Sequence, residues 1–198
     1  MDRLLIKIPE VIGTKHLYLR CFRPGDEAWY LDMIRKNRNL LSGTDSFCET
    51  VTVEDEKEAA ILIRRLALGW DAREIMNLGV FVRGSDEFIG QIVIEPVNWE
   101  LPEFCIDFFW DSDHDDPEMH QEALAAGLDA VFRYLAAQRI TIWCPAEDDY
   151  RAESLRQAGF QAEGRLRSNR RMSDGTLADT MVYGLIRPDR GSLTTHSP

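Results

Sequence analysis

Residues 155–167 read L-R-Q-A-G-F-Q-A-E-G-R-L-R, and residues 174–180 read D-G-T-L-A-D-T. Glu153 to Ala158 is expected to be the end of a helix, because Gly159 suits the left-handed backbone that often closes helices. Phe160 then opens a long basic strand to Arg171, which turns at Ser173-Asp174-Gly175-Thr176 and returns through Leu177 to Leu185. A helix that stops on glycine and feeds a hairpin belongs to a mixed α/β chain.

The elements before it alternate in the same way. His16 to Phe22 (H-L-Y-L-R-C-F) has the period of a half-buried strand, ended by Pro24-Gly25-Asp26, and a helix follows through Trp29, Met33 and Ile34. Thr52 stands three residues before Asp55, close to a capping box, and Ala59, Leu62, Ile63, Leu66 and Trp70 then share one helical face. Leu78 to Val82 and Phe88 to Ile94 flank a turn at Gly84–Glu87, and Phe104 to Trp110 supplies a further strand. From Met119 the pattern is helical, with Leu124, Leu128, Val131, Phe132 and Leu135 on one stripe, and Ile140 to Trp143 is a short strand. The order β, α, α, β, β, β, α, β, α, β, β has no internal repeat and no long linker. It predicts a single α/β or α+β domain over residues 1–187, with a polar tail, 188–198, expected to be disordered.

At 198 residues and 44% apolar, the chain is long enough for one well-buried core. The net charge of −11 argues against nonspecific binding to nucleic acid or to an anionic membrane, both of which need a basic surface. No apolar run reaches about 18 residues, and the N-terminus M-D-R-L-L-I-K-I-P-E has no signal-peptide core, so a cytoplasmic protein is expected. Cys21, Cys48, Cys105 and Cys144 are widely spaced, without a C-x-x-C pair, and read as buried reduced thiols.

In this arrangement the chain resembles the GNAT acetyltransferase superfamily, in its RimJ/RimL form, from about Lys15 to Ile186. H-L-Y-L-R-C-F-R-P-G-D at 16–26 is similar to that group's first strand and helix start, and F-I-G-Q-I-V-I at 88–94 to its third strand. The segment 155–167 with 174–180 is the most specific likeness. The resemblance implies a splayed, mostly antiparallel sheet flanked by helices. It also implies transfer of acetyl from acetyl-CoA to a primary amine, at a protein N-terminus or on a small molecule, by direct attack. Acetyl-CoA would lie where the two central strands part, against Phe108, Phe109 and Trp110. Its pyrophosphate would rest on amides around Met119 and His120 at a helix start, and Asp148 and Arg151 stand where the family positions the cofactor. A homodimer is compatible with this reading.

Two of these places depart from the family pattern. Where a Gln or Arg, two residues, a Gly, one residue and a Gly or Ala are usual, this chain has Asp115-Asp116-Pro117-Glu118-Met119-His120. Both glycines are absent, Pro117 lacks an N–H, and carboxylates approach the place of two phosphate charges. Where the family has an Asn and, three residues on, a Ser, the chain has Asp148 and Arg151. Arginine cannot readily donate a proton to a departing thiolate. The alternative function is therefore a noncatalytic GNAT-fold binding or regulatory protein that has lost ordinary CoA binding. A strand cleft filled by side chains such as Phe108, Phe109, Trp110 and Trp143 would favour it.

Asp107 interrupts the apolar run 104–110 and is the candidate base, with an Asp–Arg pair as the alternative. Tyr150 is the candidate acid, with a packed tyrosine as the alternative. Cys144 could carry an acyl group but has no adjacent His to activate it, and a buried thiol is the plainer reading. Arg165 and Arg167 share a strand face and, with Arg170 and Arg171, could hold an anionic ligand or simply balance surface carboxylates. Asp111, Asp113, Asp115 and Glu122 occupy positions 1, 3, 5 and 12 of a calcium-loop pattern, but Asp116 and Pro117 replace its glycine turn. His114 and His120 are spaced too loosely to specify a transition-metal site, so no metal is assigned.

Overall fold

A computed structural model describes residues 2–42, 45–47, 49–171 and 175–187. Strands β1 (Val11–Gly13) and β2 (Leu17–Cys21) precede helices α1 (Glu27–Leu41) and α2 (Glu56–Ala72). Then come β3 (Met76–Val82), β4 (Phe88–Asn98), β5 (Glu103–Trp110) and α3 (Pro117–Tyr134). The chain continues through β6 (Arg139–Pro145), α4 (Asp149–Gln157), β7 (Gln161–Arg171) and β8 (Leu177–Ile186). The order read from sequence is present, with β1 added at the front; three residues are too few to display a period of two.

The caps explain several boundaries. Asp55, not Thr52, starts α2: its carboxylate accepts Glu58 N–H, and the Glu58 carboxylate accepts Glu54 N–H at 2.9 Å. The capping pair is thus shifted three residues along the chain from the one expected. At the end of α4, Phe160 N donates to Leu155 O and Gly159 N to Arg156 O, with Gly159 at φ +95°. That pair of bonds is the Schellman closure, which needs the left-handed residue that glycine supplies. Cys48, part of the turn at 173–176 and the tail 188–198 lie outside the described residues.

All eight strands form one sheet in the order β1-β2-β3-β4-β5-β6-β8-β7. Neighbours are antiparallel except β5 and β6, which run parallel. Those two strands pair at only Glu103↔Arg139, Phe104↔Ile140 and Cys105↔Thr141. Beyond Cys105 and Thr141 they part, so the inner edge of β5 from residue 106 onward has no strand to bond.

Alternation along β4 and β5 sends side chains to two separate cores. Val93 and Phe109 pack with Tyr30, Ile34 and Ile63 under α1 and α2. Ile92, Ile106 and Phe108 pack with Leu124, Leu128 and Val131 of α3 on the opposite face. A bidentate pair from Arg20 to the Asp26 carboxylate, at 2.7 and 2.9 Å, fixes the start of α1 to β2. No described helix is long and apolar enough to cross a membrane.

Gly90 on β4 lies opposite Trp110, where a Cβ would come within 2.6 Å of Phe109 O and also strike the Trp110 ring. Gly90→Ala is expected to lower stability by about 1–3 kcal/mol through overpacking, measured as a shift in the urea midpoint at unchanged slope. An unchanged midpoint would show that the Trp110 ring can move aside.

Candidate active site

The chemistry-bearing residues gather where β5 and β6 part. Asp107 points from β5 toward the α1/α2 side, sharing a face with its partner Val93. Arg151, in the first turn of α4, reaches across the open strand edge from the other direction. Its Nη2 donates to Asp107 Oδ1, its Nη1 donates to Phe108 O at 3.0 Å, and its guanidinium lies 4.2 Å from the Phe108 ring centroid. Asp107 also accepts Phe108 N–H at 2.8 Å. Both residues are buried, so the pair satisfies an edge that neither strand nor solvent serves. Burial lowers the Arg151 guanidinium to about 10, with the positive charge of Arg170 adding to the effect; it remains charged at neutral pH.

The start of α3 is closed by its own sequence. Asp116 is the N-cap, its Oδ1 accepting Glu118 N–H at 3.0 Å and Met119 N–H at 3.2 Å. Pro117 has no N–H, and His120 N donates to Asp116 O at 3.0 Å. The unpaired first-turn amides that make a helix start attractive to anions are thus already engaged. The His120 ring stacks on Trp110 with centroids 4.6 Å apart and planes 6° from parallel. Its Nε2 lies 2.9 Å from His114 O, so Nε2 must carry the hydrogen, and Nδ1 then accepts the Tyr150 hydroxyl at 2.5 Å. Burial lowers the His120 pKa, which favours this neutral form of the ring.

Asp111, Asp113 and Glu122 of the junction are drawn to other elements. Lys36 Nζ lies 2.6 Å from Asp111 and 2.8 Å from Asp113, and Asn37 donates to Asp111 at 3.0 Å. Glu122 turns away to accept Thr14 Oγ1 at 2.5 Å and His16 N at 2.7 Å. Among the described residues no group of three or more His, Cys, Asp or Glu side chains could hold a metal ion. The calcium reading of 111–122 therefore lacks a converging ligand set, because Glu122 and Asp111 are tied to different elements.

The structure brings together Asp107, Phe108, Trp110, Met119, His120, Asp148, Tyr150 and Arg151, but in roles other than an open site. Asp107 is held by Arg151 rather than standing as a bare carboxylate. Tyr150 bonds His120, and burial raises its pKa, which makes it a weaker acid. Phe108 and Phe109 are core residues on opposite faces. Asp148 is the N-cap of α4, accepting Arg151 N–H at 2.9 Å. Cys144 is a buried thiol pushed up to about 12 by desolvation, far from the thiolate that acyl transfer needs. Trp143 is exposed; the side chain that bonds the free edge of β5 is Arg151. Arg165 bonds Asp179 at 2.6 Å within the β7/β8 hairpin, which takes it out of the set available to a ligand.

Acetyl-CoA is the donor that the resemblance implies, and these residues do not fit its pyrophosphate as they stand. A carboxylate occupies the amides that would receive it, and a guanidinium occupies the strand edge beside it. The Asp116-Pro117-Glu118 cap was readable from sequence, since Asp before Pro is a strong helix start. The Arg151 bridge was not, because its partner is 44 residues away.

Arg151→Met is expected to destabilise the fold by about 3–5 kcal/mol, since Asp107 stays buried without its cation. In urea unfolding, the Asp107→Asn, Arg151→Met double variant should cost less than the sum of the singles; strict additivity would mean that the pair is not coupled. His120 gives a pH signature. Its folded pKa lies below the ordinary 6.5, so unfolding takes up a proton, and stability is complete above 6.5 and falls as pH drops through it. His120→Phe should flatten the stability profile as pH falls below 6.5; an identical slope in the variant would assign the loss to other groups.

No family model matches the sequence, and no curated protein does. Solved structures do match along nearly the whole chain. One is RimL, a ribosomal L7/L12 alpha-N-protein acetyltransferase in complex with coenzyme A, with TM-score 0.79 and 17% identity over 89% of this chain and 98% of that one. A ribosomal-protein-S5-alanine acetyltransferase from Vibrio fischeri has TM-score 0.76 and 15% identity, covering 89% and 96%. RimJ of Mycobacterium smegmatis in complex with CoA-disulfide has TM-score 0.75 and 20% identity, covering 96% and 91%. Identities this low speak to fold alone. With the eight-stranded sheet, parted parallel strands and four α-helices of its described residues, this chain has the fold of the GNAT acetyltransferases, in the form shared by the RimL and RimJ proteins.

Proposed function

We propose that this protein is an N-acetyltransferase of the RimJ/RimL type, acting by direct attack of a primary amine, at a protein N-terminus or on a small molecule, and that the structure is its closed state. The reading is supported by the parting of β5 and β6 with Asp107 on the cleft wall, in a fold whose neighbours bind CoA or acetyl-CoA. Asp107 is the residue of this chain able to take a proton there. It can do so only after the Arg151 guanidinium leaves it, because an ion-paired carboxylate is a poor base. Opening the cleft and freeing the base are then one movement. A soluble location in the cytoplasm fits this reading, as does a peptide or small-amine acceptor.

The second reading, a noncatalytic binding protein on the same scaffold, takes its argument from the bonds that Arg151 and Asp116 make. In that reading Arg151, bonded to Phe108 O and Asp107, and Asp116, bonded to the first amides of α3, stand where a donor would bind. Fold and chemistry are separable, and sites are what carry function.

Calorimetry with CoA and acetyl-CoA separates the two. Micromolar binding by the wild-type chain, with acetyl transfer to free-amine peptides detected by mass, supports the transferase. Binding no tighter than millimolar, in the wild type and in Arg151→Ser alike, would sink the transferase reading and leave the binding protein.

A further inference from the structure

A trough of about 520 Å³ opens between α1 and strands β2, β3 and β4, a volume in the range of small-ligand sites. Neither Asp107 nor Arg151 lines it. Its floor is aromatic, because the sheet register sets Tyr18 opposite Phe81 and Phe81 opposite Phe88, and Trp29 reaches down from α1. Tyr18 stacks beside Phe81 with ring centroids 5.2 Å apart, while Trp29 and Phe88 meet Phe81 edge-on at 5.6 and 5.7 Å. Phe81 is buried beneath the other three, and Tyr18, Trp29 and Phe88 are half-buried, so part of each ring stays accessible. Aromatic faces carry negative charge density and attract cations. The floor already holds one: the Arg20 guanidinium lies 4.6 Å from the Phe81 centroid, with its own charge matched by Asp26.

Two carboxylates line the trough from different walls, Asp32 from α1 and Asp86 from the turn between β3 and β4, and both are exposed. The Tyr18 hydroxyl donates to Asp86 Oδ1 at 2.9 Å, which holds that carboxylate against the aromatic floor. The ion pair of Asp32 with Arg35 is 3.6 Å long, with both side chains at the surface, and holds it only weakly. Of the remaining lining cations, Lys36 is shared by Asp111 and Asp113, and Arg23 is exposed, where solvent screens its charge. We propose that this trough binds a small quaternary ammonium compound of the choline type, its methyl groups on Trp29 and Phe88 and its charge drawn to Asp32 and Asp86. Such a cation has no N–H, so the carboxylates act on it through their field and keep the bonds they already make. A primary ammonium is more strongly hydrated and needs hydrogen-bond acceptors that the ring faces do not supply. The net charge of −11 favours the approach of any cation, and the aromatic floor selects the methylated one. Binding here is independent of acetyl transfer, and its measurement needs no acetyl-CoA.

The test is NMR titration of the full chain, at constant ionic strength, with choline, with ethanolamine, which lacks the methyl groups, and with the uncharged tert-butyl analogue of choline. The Trp29 indole N–H resonance, assigned through Trp29→Phe, is the probe. Choline is expected to shift it saturably in the millimolar range and to bind at least fivefold more tightly than either control. Asp32→Asn with Asp86→Asn should weaken choline at least fivefold, and asparagine tolerates the positive φ of residue 86. If that double variant fails to fold by thermal melting, Asp32→Asn alone should weaken binding at least twofold. Equal binding of choline and either control, no saturation at tens of millimolar, or undiminished affinity in a folded aspartate variant would each overturn the proposal.

Discussion

The parting of β5 from β6 is the constraint on which the site depends. Two parallel strands that bond at three register positions and then diverge leave backbone donors and acceptors facing a gap, and buried groups of that kind require partners. In a protein that binds a ligand there, the ligand is one available partner. In this chain a side chain takes the place: Arg151 donates to Phe108 O and to Asp107 and covers the Phe108 ring. The cost of burying a guanidinium is offset by its carboxylate and by the carbonyl it satisfies, an arrangement that holds only while all three remain together.

The same economy governs the start of α3. A helix start presents free amides and a positive dipole end, which is why phosphates bind there in many proteins. Asp116 fills that need from within the chain, and Pro117 removes one amide altogether. His120 then stacks on Trp110 and accepts from Tyr150, so the first turn of α3, the end of β5 and the first turn of α4 are joined by side chains across the region where a donor would lie. Charge is distributed to match. The junction 111–118 is acidic, with Asp111 and Asp113 held by Lys36 of α1 and Asp116 by the amides of its own helix, whereas Arg170 and Arg171 of the hairpin line a groove with Trp143 of β6.

Much of the fold was legible because it rests on periods and caps that are local. The stripe Leu124, Leu128, Val131 and the alternation of β2 follow from burial on one face, and Gly159 closes α4 through a backbone angle that few other residues adopt comfortably. β1 escaped because it is three residues long, and the start of α2 was displaced because Thr52 and Asp55 both look like caps until the hydrogen bonds decide between them. The site was legible only in part. Asp107 and Arg151 were each singled out, one as an odd charge in an apolar strand and the other as an odd replacement after β6. Nothing in their spacing joined them.

The sequence by itself determined the order of elements, the apolar stripes of the helices and the acidic character of the stretch before α3, because these depend on side-chain period and on residues a few positions apart. Only the tertiary structure decided that Arg151 bridges Asp107 and the open edge of β5, that Glu122 leaves the acidic loop for Thr14 and His16, and that Trp143 faces a groove instead of the cleft. Those pairings join residues from 44 to 108 positions apart. Their partners are set by how far β5 and β6 diverge and by what must then satisfy the exposed backbone, a requirement that exists only once the sheet has formed.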